Sequence, residues 1–410
     1  MTSGAAHNSF VISINGGSSS IKVAVFRAGA NPTRVMRGSV DRIGSEGAEF
    51  RLEGALDDAA SKASEVRAVG TLAHNEAAEV LASALRDKLS GRALLGIGHR
   101  IVYGGPGSPD HQLLSPKLLD ELRAVAKMDA THLPREIALI EVFEKVFAGV
   151  PQVMCLDTAF HRTLPRVATM LPIPRRFDEA GLRRYGYHGL SYEFLMSELE
   201  REDGKPVSGG RVVLAHLGSG ASLAAVRGGK PIDTTMAASA LSGLMMGTRP
   251  GDLDPGVVLY MTQQGRLTPD KLVSLLNKEC GLLGVSGISA DVRDLLAKRT
   301  TDTHASEAID LFCWIARKHI AAMTASLGGL DTLVFSGGIG ENSPEIRAGI
   351  CESLGYLGIV LDPALNAAGK GRISASGARV LVRVIRTDEE QMIARHVERL
   401  VDTQSLAETR

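Results

Sequence analysis

One short pattern occurs twice in this chain, and it limits the folds available. Residues 11–26 read VISINGGSSSIKVAVF and residues 211–229 read RVVLAHLGSGASLAAVRGG. In each, an apolar run meets a turn of small residues and a second apolar run follows, which predicts a β-hairpin with a glycine- and serine-rich tip. Glycine lets the backbone approach a ligand and aim N–H groups at it. Serine hydroxyls and Lys22 add further donors, so such a tip suits a phosphate. Alone, either stretch reads equally well as an ordinary polar turn. Two of them half a chain apart predict duplicated halves. A third glycine turn, SGGIGENS at 336–343, follows the apolar run 332–335.

At 410 residues the chain exceeds one ordinary core, so two domains are expected. We place the first over 1–156 together with the last helix, about 391–410, and the second over 157–390. Hydrophobic content of 44% with 22% charged residues is that of a soluble globular protein. A net charge of zero and no basic run argue against a nucleic-acid partner. No apolar run is long enough for a bilayer, and the first ten residues lack a secretory leader. Four dispersed cysteines without a CxxC predict reduced thiols in a cytoplasmic protein.

Periodicity predicts helices over 76–89, 116–128, 135–148, 191–202, 268–280 and 305–325, and strands over 93–102, 152–156, 332–335 and 380–385. The helix 305–325 carries Ile309, Phe312, Trp314, Ile315, Ile320 and Met323 on broad apolar faces, as a deeply buried or interfacial helix does. Residues 44–70 read as a polar surface excursion. Residues 165–187 and 243–256 read as irregular loops, and residues beyond 402 as a frayed tail.

No GxxxxGK[ST] is present, and no GxGxxG leads from a strand into a helix, so a P-loop or dinucleotide Rossmann site is not supported. Two Gly/Ser hairpins with a later GG turn match instead the nucleotide clamp of the actin–hexokinase superfamily. ISINGGSSSIK, GHRIVYGG, LDTAFH, YGYHGLS, HLGSGASL, MGTRPGDLDPG, FSGGIGEN and RTDEE, in this order over residues 11–396, resemble the acetate kinase family of acetate, propionate and butyrate kinases. The resemblance implies an α/β fold of two duplicated ribonuclease H-like domains with ATP in the cleft, closing on substrate. It implies reversible transfer of the ATP γ-phosphoryl group to a short-chain carboxylate, with Mg²⁺ or Mn²⁺, in a homodimer.

A carboxylate nucleophile is ionised at pH 7, so the reaction needs no general base. It needs fixed positive charge to bring two anions together. Arg100 and Arg249 match the family's two arginines for this task, and a guanidinium offers a bidentate fork that keeps its charge. His188 matches a histidine that stabilises the transition state, and His132 a second family histidine. Asn15, Ser18, Ser20 and Lys22 match the first phosphate hairpin, and His216, Gly218, Ser219 and Gly220 the second. Asp291 and Arg293 resemble the nucleoside-contacting pair, with Gly338, Ile339, Gly340 and Asn342 in the adenine turn. Asp157, Glu389 and Asn15 match the residues linked to magnesium, which binds through few carboxylates, water and substrate phosphates. Val102, Thr131 and Ala240 match the acyl pocket.

The departures are local. Ser219 replaces an asparagine, Thr131 a leucine, Ala240 a proline, and a tyrosine of YGYHG a phenylalanine. The altered pocket wall leaves open which short acid is preferred. Two other readings remain. A sugar kinase would need an aspartate base, for which Asp157 is a candidate, and would leave the two arginines unexplained. An actin-like ATPase would have no need of Arg100, His188 and Arg249 together.

Overall fold

The computed structural model describes residues 9–17, 19–58, 63–126 and 132–408. Ser18 and Thr131 lie outside the described residues. The chain divides into two compact units, Met1–Ala159 with Asp388–Arg410, and Phe160–Thr387.

The first unit is built on an eight-stranded sheet. Its strands are β1 (Ser9–Gly16), β2 (Ser20–Arg27), β3 (Thr33–Asp41), β4 (Glu49–Gly54), β5 (Ser64–Ala68), β6 (Ala93–Ile101), β7 (Gln112–Leu113) and β8 (Gln152–Leu156), in the order β5-β4-β3-β2-β1-β6-β8-β7. The second unit holds β9 (Arg211–Leu217), β10 (Ala221–Arg227), β11 (Lys230–Thr234), β12 (Thr332–Ser336), β13 (Gly371–Arg372) and β14 (Leu381–Val384), in the order β11-β10-β9-β12-β14-β13. The runs β3-β2-β1-β6-β8 and β11-β10-β9-β12-β14 have the same topology. The first three strands of each are antiparallel, and the next two pairings are parallel. The repeat visible in two hairpins is thus a repeat of five strands.

β1 is buried on both faces from Ser9 to Ile14, as a strand with neighbours on both edges and helices on both faces must be. Phe10, Ile12 and Ile14 pack with Leu81 and Leu85 of the helix His74–Lys88 and with Phe143 of the helix Leu133–Val146. The last helix, Glu389–Glu408, lies directly on β6. A Cβ placed on Gly98 would sit 2.3 Å from Ile393 Cγ2, and one on Gly96 would sit 2.7 Å from Val397 Cγ1. The bare β6 backbone therefore lets this helix lie close and fixes where Glu389, its first residue, emerges.

Helices also occur at Pro116–Val125, Gly189–Asp203, Pro269–Lys278 and Thr303–Leu327, near their expected positions. Four expectations are corrected. The excursion 44–70 contains β4 and β5. β4 buries Phe50 and Leu52 and turns charged residues outward, the alternation of a half-solvated strand; β5 is exposed throughout and carries no apolar signal. SGGIGENS is not a turn, because the helix Gly337–Asn342 begins directly after β12. The loop 165–187 contains short helices at Arg166–Thr169 and Arg175–Glu179. The tail stays helical to Glu408. On the helix Thr303–Leu327, Ile309, Phe312, Ile320 and Met323 are buried, while Trp314 is 56% exposed.

Candidate active site

In the first unit the parallel strands β1, β6 and β8 end along one edge, where open α/β sheets place their ligands. Asn15 is near the end of β1, Arg100 near the end of β6, and Asp157 directly follows β8. Arg100 donates from Nε to both Asp157 oxygens at 3.1 Å and from Nη2 to Oδ2 at 2.6 Å. Its Nη1 donates to Asn15 Oδ1 at 3.1 Å, and the Asn15 amide donates to Glu389 Oε2 at 3.3 Å. Glu389 also comes within 3.8 Å of Arg100 Nε. Burial opposes the Arg100 charge, but Asp157 and Glu389 outweigh it and hold the guanidinium firmly protonated. Asp157 is 1% exposed while the Arg100 side chain is 20% exposed, so the carboxylate is dry and the guanidinium still reaches the open edge.

Val102 follows β6, its N–H accepted by both oxygens of the buried Glu136 at 3.2 Å. His132 occupies the N-cap position of the helix Leu133–Val146 without a side-chain cap bond. Ser20 starts β2, and its carbonyl accepts the Gly17 N–H at 2.7 Å. Lys22 is exposed and lies opposite Asn15.

The second unit forms its own cluster around the β9–β10 tip. The Gly218 N–H donates to Gly220 O at 2.9 Å, and the Gly247 N–H donates to Ser219 O at 3.0 Å, tying the MGTRPG loop to the tip. A Cβ on Gly220 would lie 2.7 Å from Arg249 Nη2 and 3.2 Å from His188 Nε2. These two groups therefore converge over a residue that offers them only backbone. Arg249 Nη1 donates to Ala240 O at 2.6 Å.

His188 is the N-cap of the helix Gly189–Asp203 and has φ 58 and ψ 27. That left-handed conformation costs a non-glycine residue about 1–2 kcal/mol, and such strain collects at functional sites. Its ring stacks on that of His216 at 4.3 Å. His188 Nδ1 is 2.8 Å from Ser222 Oγ, and Ser222 Oγ is 2.5 Å from the Tyr192 hydroxyl. His216 Nδ1 is 2.8 Å from Ser191 Oγ, which accepts from Thr387 Oγ1 at 2.8 Å. Sequence reasoning missed Ser191, Tyr192 and Ser222. The available signal was helical spacing, since Ser191 and Tyr192 sit three and four residues after His188.

A groove of about 570 Å³ in the second unit is lined by Gly218, Ser219, Asp291, Arg293, Gly338 and Asn342 among others. Asp291 caps the helix Val292–Lys298, accepting the Arg293 N–H at 2.9 Å and its Nη2 at 2.5 Å. Those bonds hold the Asp291 carboxyl below its ordinary range. Gly337, at φ 77, is the one position of the GGIGEN segment that demands glycine, for a Cβ there would meet Leu217 O at 2.7 Å. Ile339 also lines the groove, whereas Gly340 is buried. Tyr187 uses its added hydroxyl to bond Ala238 O at 2.8 Å.

The structure therefore brings Asn15, Arg100, Asp157 and Glu389 together in one unit. In the other it gathers His188, His216, Gly220 and Arg249, with Asp291, Arg293 and the GGIGEN segment around a groove. Residues 10–395 match the model of the Acetokinase family. An acetate kinase of Rhodopseudomonas palustris is 44% identical over 391 residues, covering 95% of this chain and 98% of that protein. The crystal structure of Porphyromonas gingivalis acetate kinase superposes with a TM-score of 0.84 at 31% identity, covering 96% of this chain and all of that one. A propionate kinase structure from Francisella tularensis gives 0.87 at 30% identity, again over 96% and 100%. With a match along nearly its whole length, and with the repeated strand order of its two units, the chain belongs to the acetokinase family.

Proposed function

We propose that this protein transfers the γ-phosphoryl group of ATP reversibly to a short-chain carboxylate, giving an acyl phosphate and ADP. The observation that carries this reading is the Arg100–Asp157 pair. Asp157, the aspartate a sugar kinase would use as base, is engaged by two nitrogens of one guanidinium. The carboxylate thus faces a cation rather than a hydroxyl, and its remaining lone pairs stay open to a metal ion. A carboxylate substrate requires no base. Its oxygen bonds to the γ-phosphorus as the bond from that phosphorus to the β,γ-bridging oxygen breaks. The electron pair leaves on ADP, and no proton is transferred.

The protein's part is electrostatic. Arg249 and His188 supply donors from the second unit, and Arg100 and Asn15 supply donors from the first. The groove lined by Asp291, Arg293, Gly338, Ile339 and Asn342 suits a nucleoside, with the β9–β10 tip beside it. Asp157, Glu389 and the Asn15 amide oxygen are hard oxygen donors gathered at one guanidinium, a set that fits Mg²⁺ or Mn²⁺. Such an ion, once bound, neutralises phosphate charge.

Homodimerisation is supported by large apolar side chains left outside on helices of the second unit, including Tyr260 at 66% and Trp314 at 56% exposure. Four free cysteines, three of them buried, support a reducing cytoplasmic setting. No helix among the described residues is long and apolar enough to cross a membrane.

The deciding experiment incubates the protein with ATP, Mg²⁺ and acetate, propionate or butyrate, and traps acyl phosphate as hydroxamate. Hydroxamate with at least one acid is expected. Phosphorylation of a sugar without hydroxamate overturns the reading. We infer further that the exchanges at Ala240 and Thr131, both to smaller side chains, relax selection against longer acids. One methylene is worth about 1–3 kcal/mol of discrimination, so the acetate preference in kcat/KM is expected below roughly 30-fold, and a larger preference refutes this relaxation.

A further inference from the structure

The two stacked imidazoles of the second unit are wired alike. Each presents Nδ1 to a serine hydroxyl, and each serine meets a second hydroxyl. Ser222 and His216 are directly opposed in the β9–β10 ladder, and Ser191 and Tyr192 stand in the first turn of the helix that His188 caps. Ser191, Tyr192 and Ser222 are wholly buried. We propose that Tyr192 and Ser222 are positioning residues that hold the proton of His188 on Nε2, the nitrogen beside Arg249. The purpose of this arrangement rests on the phosphotransfer reading; the placement of the proton does not.

The hydrogens of the chain fix the tautomer. Burial pushes the Tyr192 phenol above its ordinary range, so it keeps its single O–H. The acceptor within reach is Ser222 Oγ, and an unpaired buried hydroxyl is costly. Tyr192 therefore donates, and Ser222 Oγ accepts. The hydrogen of Ser222 then turns to its other neighbour, His188 Nδ1, which must offer a lone pair. A neutral imidazole accepting at Nδ1 carries its proton at Nε2. Protonating Nδ1 would strand the Ser222 hydrogen without an acceptor. The chain from Thr387 through Ser191 puts the His216 proton on Nε2 in the same way.

The consequence appears over Gly220. Nε2 of His188 and Nη2 of Arg249 approach the same backbone position. With the proton on Nε2 they form two donors for anionic oxygens. With the proton on Nδ1, the ring would turn a lone pair toward those oxygens and repel them.

The test is ¹⁵N NMR of the histidine rings in the full-length protein, with the His188 signals identified by their loss in His188→Gln. In the wild type, Nε2 is expected to show the shift of a protonated ring nitrogen and Nδ1 that of an unprotonated one. Tyr192→Phe frees Ser222 to rotate and Ser222→Ala removes the donor, so both shifts should move toward a tautomer mixture. Turnover should fall roughly five- to tenfold, the worth of one buried hydrogen bond, with KM for ATP within about twofold, since no binding contact is lost. Ser222→Thr keeps the hydroxyl and should restore the wild-type shifts. If Ser222→Ala does not fold, the Tyr192→Phe, Ser222→Ala double variant leaves no orphaned hydroxyl and carries the same test. A protonated Nδ1 in the wild type, or unchanged shifts in the variants, overturns the proton placement. Shifted tautomers at undiminished turnover overturn the positioning role. The expected tautomer in a protein that forms no acyl phosphate counts against the phosphotransfer reading alone.

Discussion

Replacing Gly220 by alanine adds one methyl group beneath Arg249 and His188 and removes no charge. The new Cβ would lie 2.7 Å from Arg249 Nη2 and 3.2 Å from His188 Nε2. Ordinary contact begins near 3.5 Å, so the guanidinium must retreat by nearly 1 Å and the imidazole by a few tenths. The guanidinium yields first, because it is the free end of a flexible side chain, while the ring is pinned by Ser222 and stacked on His216. A misplacement of about 1 Å in a positioned group costs about 10²-fold in rate. Gly220→Ala should therefore lower kcat about 100-fold. Stability should barely change, because Gly220 has no left-handed φ and the strain can leave through Arg249. The measurements are initial rates by hydroxamate trapping and a thermal melt, where 1 kcal/mol corresponds to about 2–4 °C in a unit of this size. Gly355→Ala is the control, since its Cβ would meet nothing within 4 Å and it lies outside the groove. Near-wild-type kcat in Gly220→Ala would show that Arg249 and His188 do not act from the positions they hold here.

Arg249→Ala should lose roughly 10³-fold in kcat, the scale of one arginine at a transferring phosphoryl group, with partial rescue by free guanidinium; a tenth of wild-type turnover would make the residue merely structural. Burial pulls His99 and His161 down to about 4, partly offset by Gln152 and by the Tyr187 carbonyl. Unfolding exposes each ring at about 6.5, so below that pH the unfolded chain binds more protons. Stability is then full above pH 6.5 and falls as pH drops toward 4, by about 1.4 kcal/mol per pH unit for each ring. Urea midpoints that stay flat from pH 7 to 5 would contradict this. Burial raises the Cys313 thiol to about 11 and the Cys351 thiol to about 12. Both should resist a thiol reagent at pH 8 in the folded protein, and rapid labelling of either would refute its burial.

The duplicated hairpins were legible because glycine and serine between apolar runs have few other uses, and they led to the five-strand repeat. β4 and β5 were not legible. β4 exposes every second side chain, and β5 buries none, so polar composition hid both. The helical start of GGIGEN was hidden by its glycines, poor helix formers, of which Gly337 turns the chain out of β12 at a left-handed φ. Arg100, Asp157, Arg249 and His188 stand in recognisable motifs, but their pairings are made by the fold, between residues far apart in the chain. Ser222 stayed invisible because a serine inside an apolar strand gives no sign of the imidazole it meets.

The last helix closes on β6 over Gly96 and Gly98, yet the ribosome makes it after the whole of Phe160–Thr387. Roughly 230 residues separate the two parts of the first unit. At about 5–20 residues per second, β1, β6 and β8 wait some 10–45 s for the helix that covers them. During that interval the sheet shows an open apolar face, the kind of surface chaperones hold. Glu389 arrives with that same helix, so the first unit gains its last buried surface and the carboxylate that meets Arg100 and Asn15 in one step. A nascent chain stalled before residue 388 has neither, and protease digestion of stalled chains should cut the first unit readily while sparing the second.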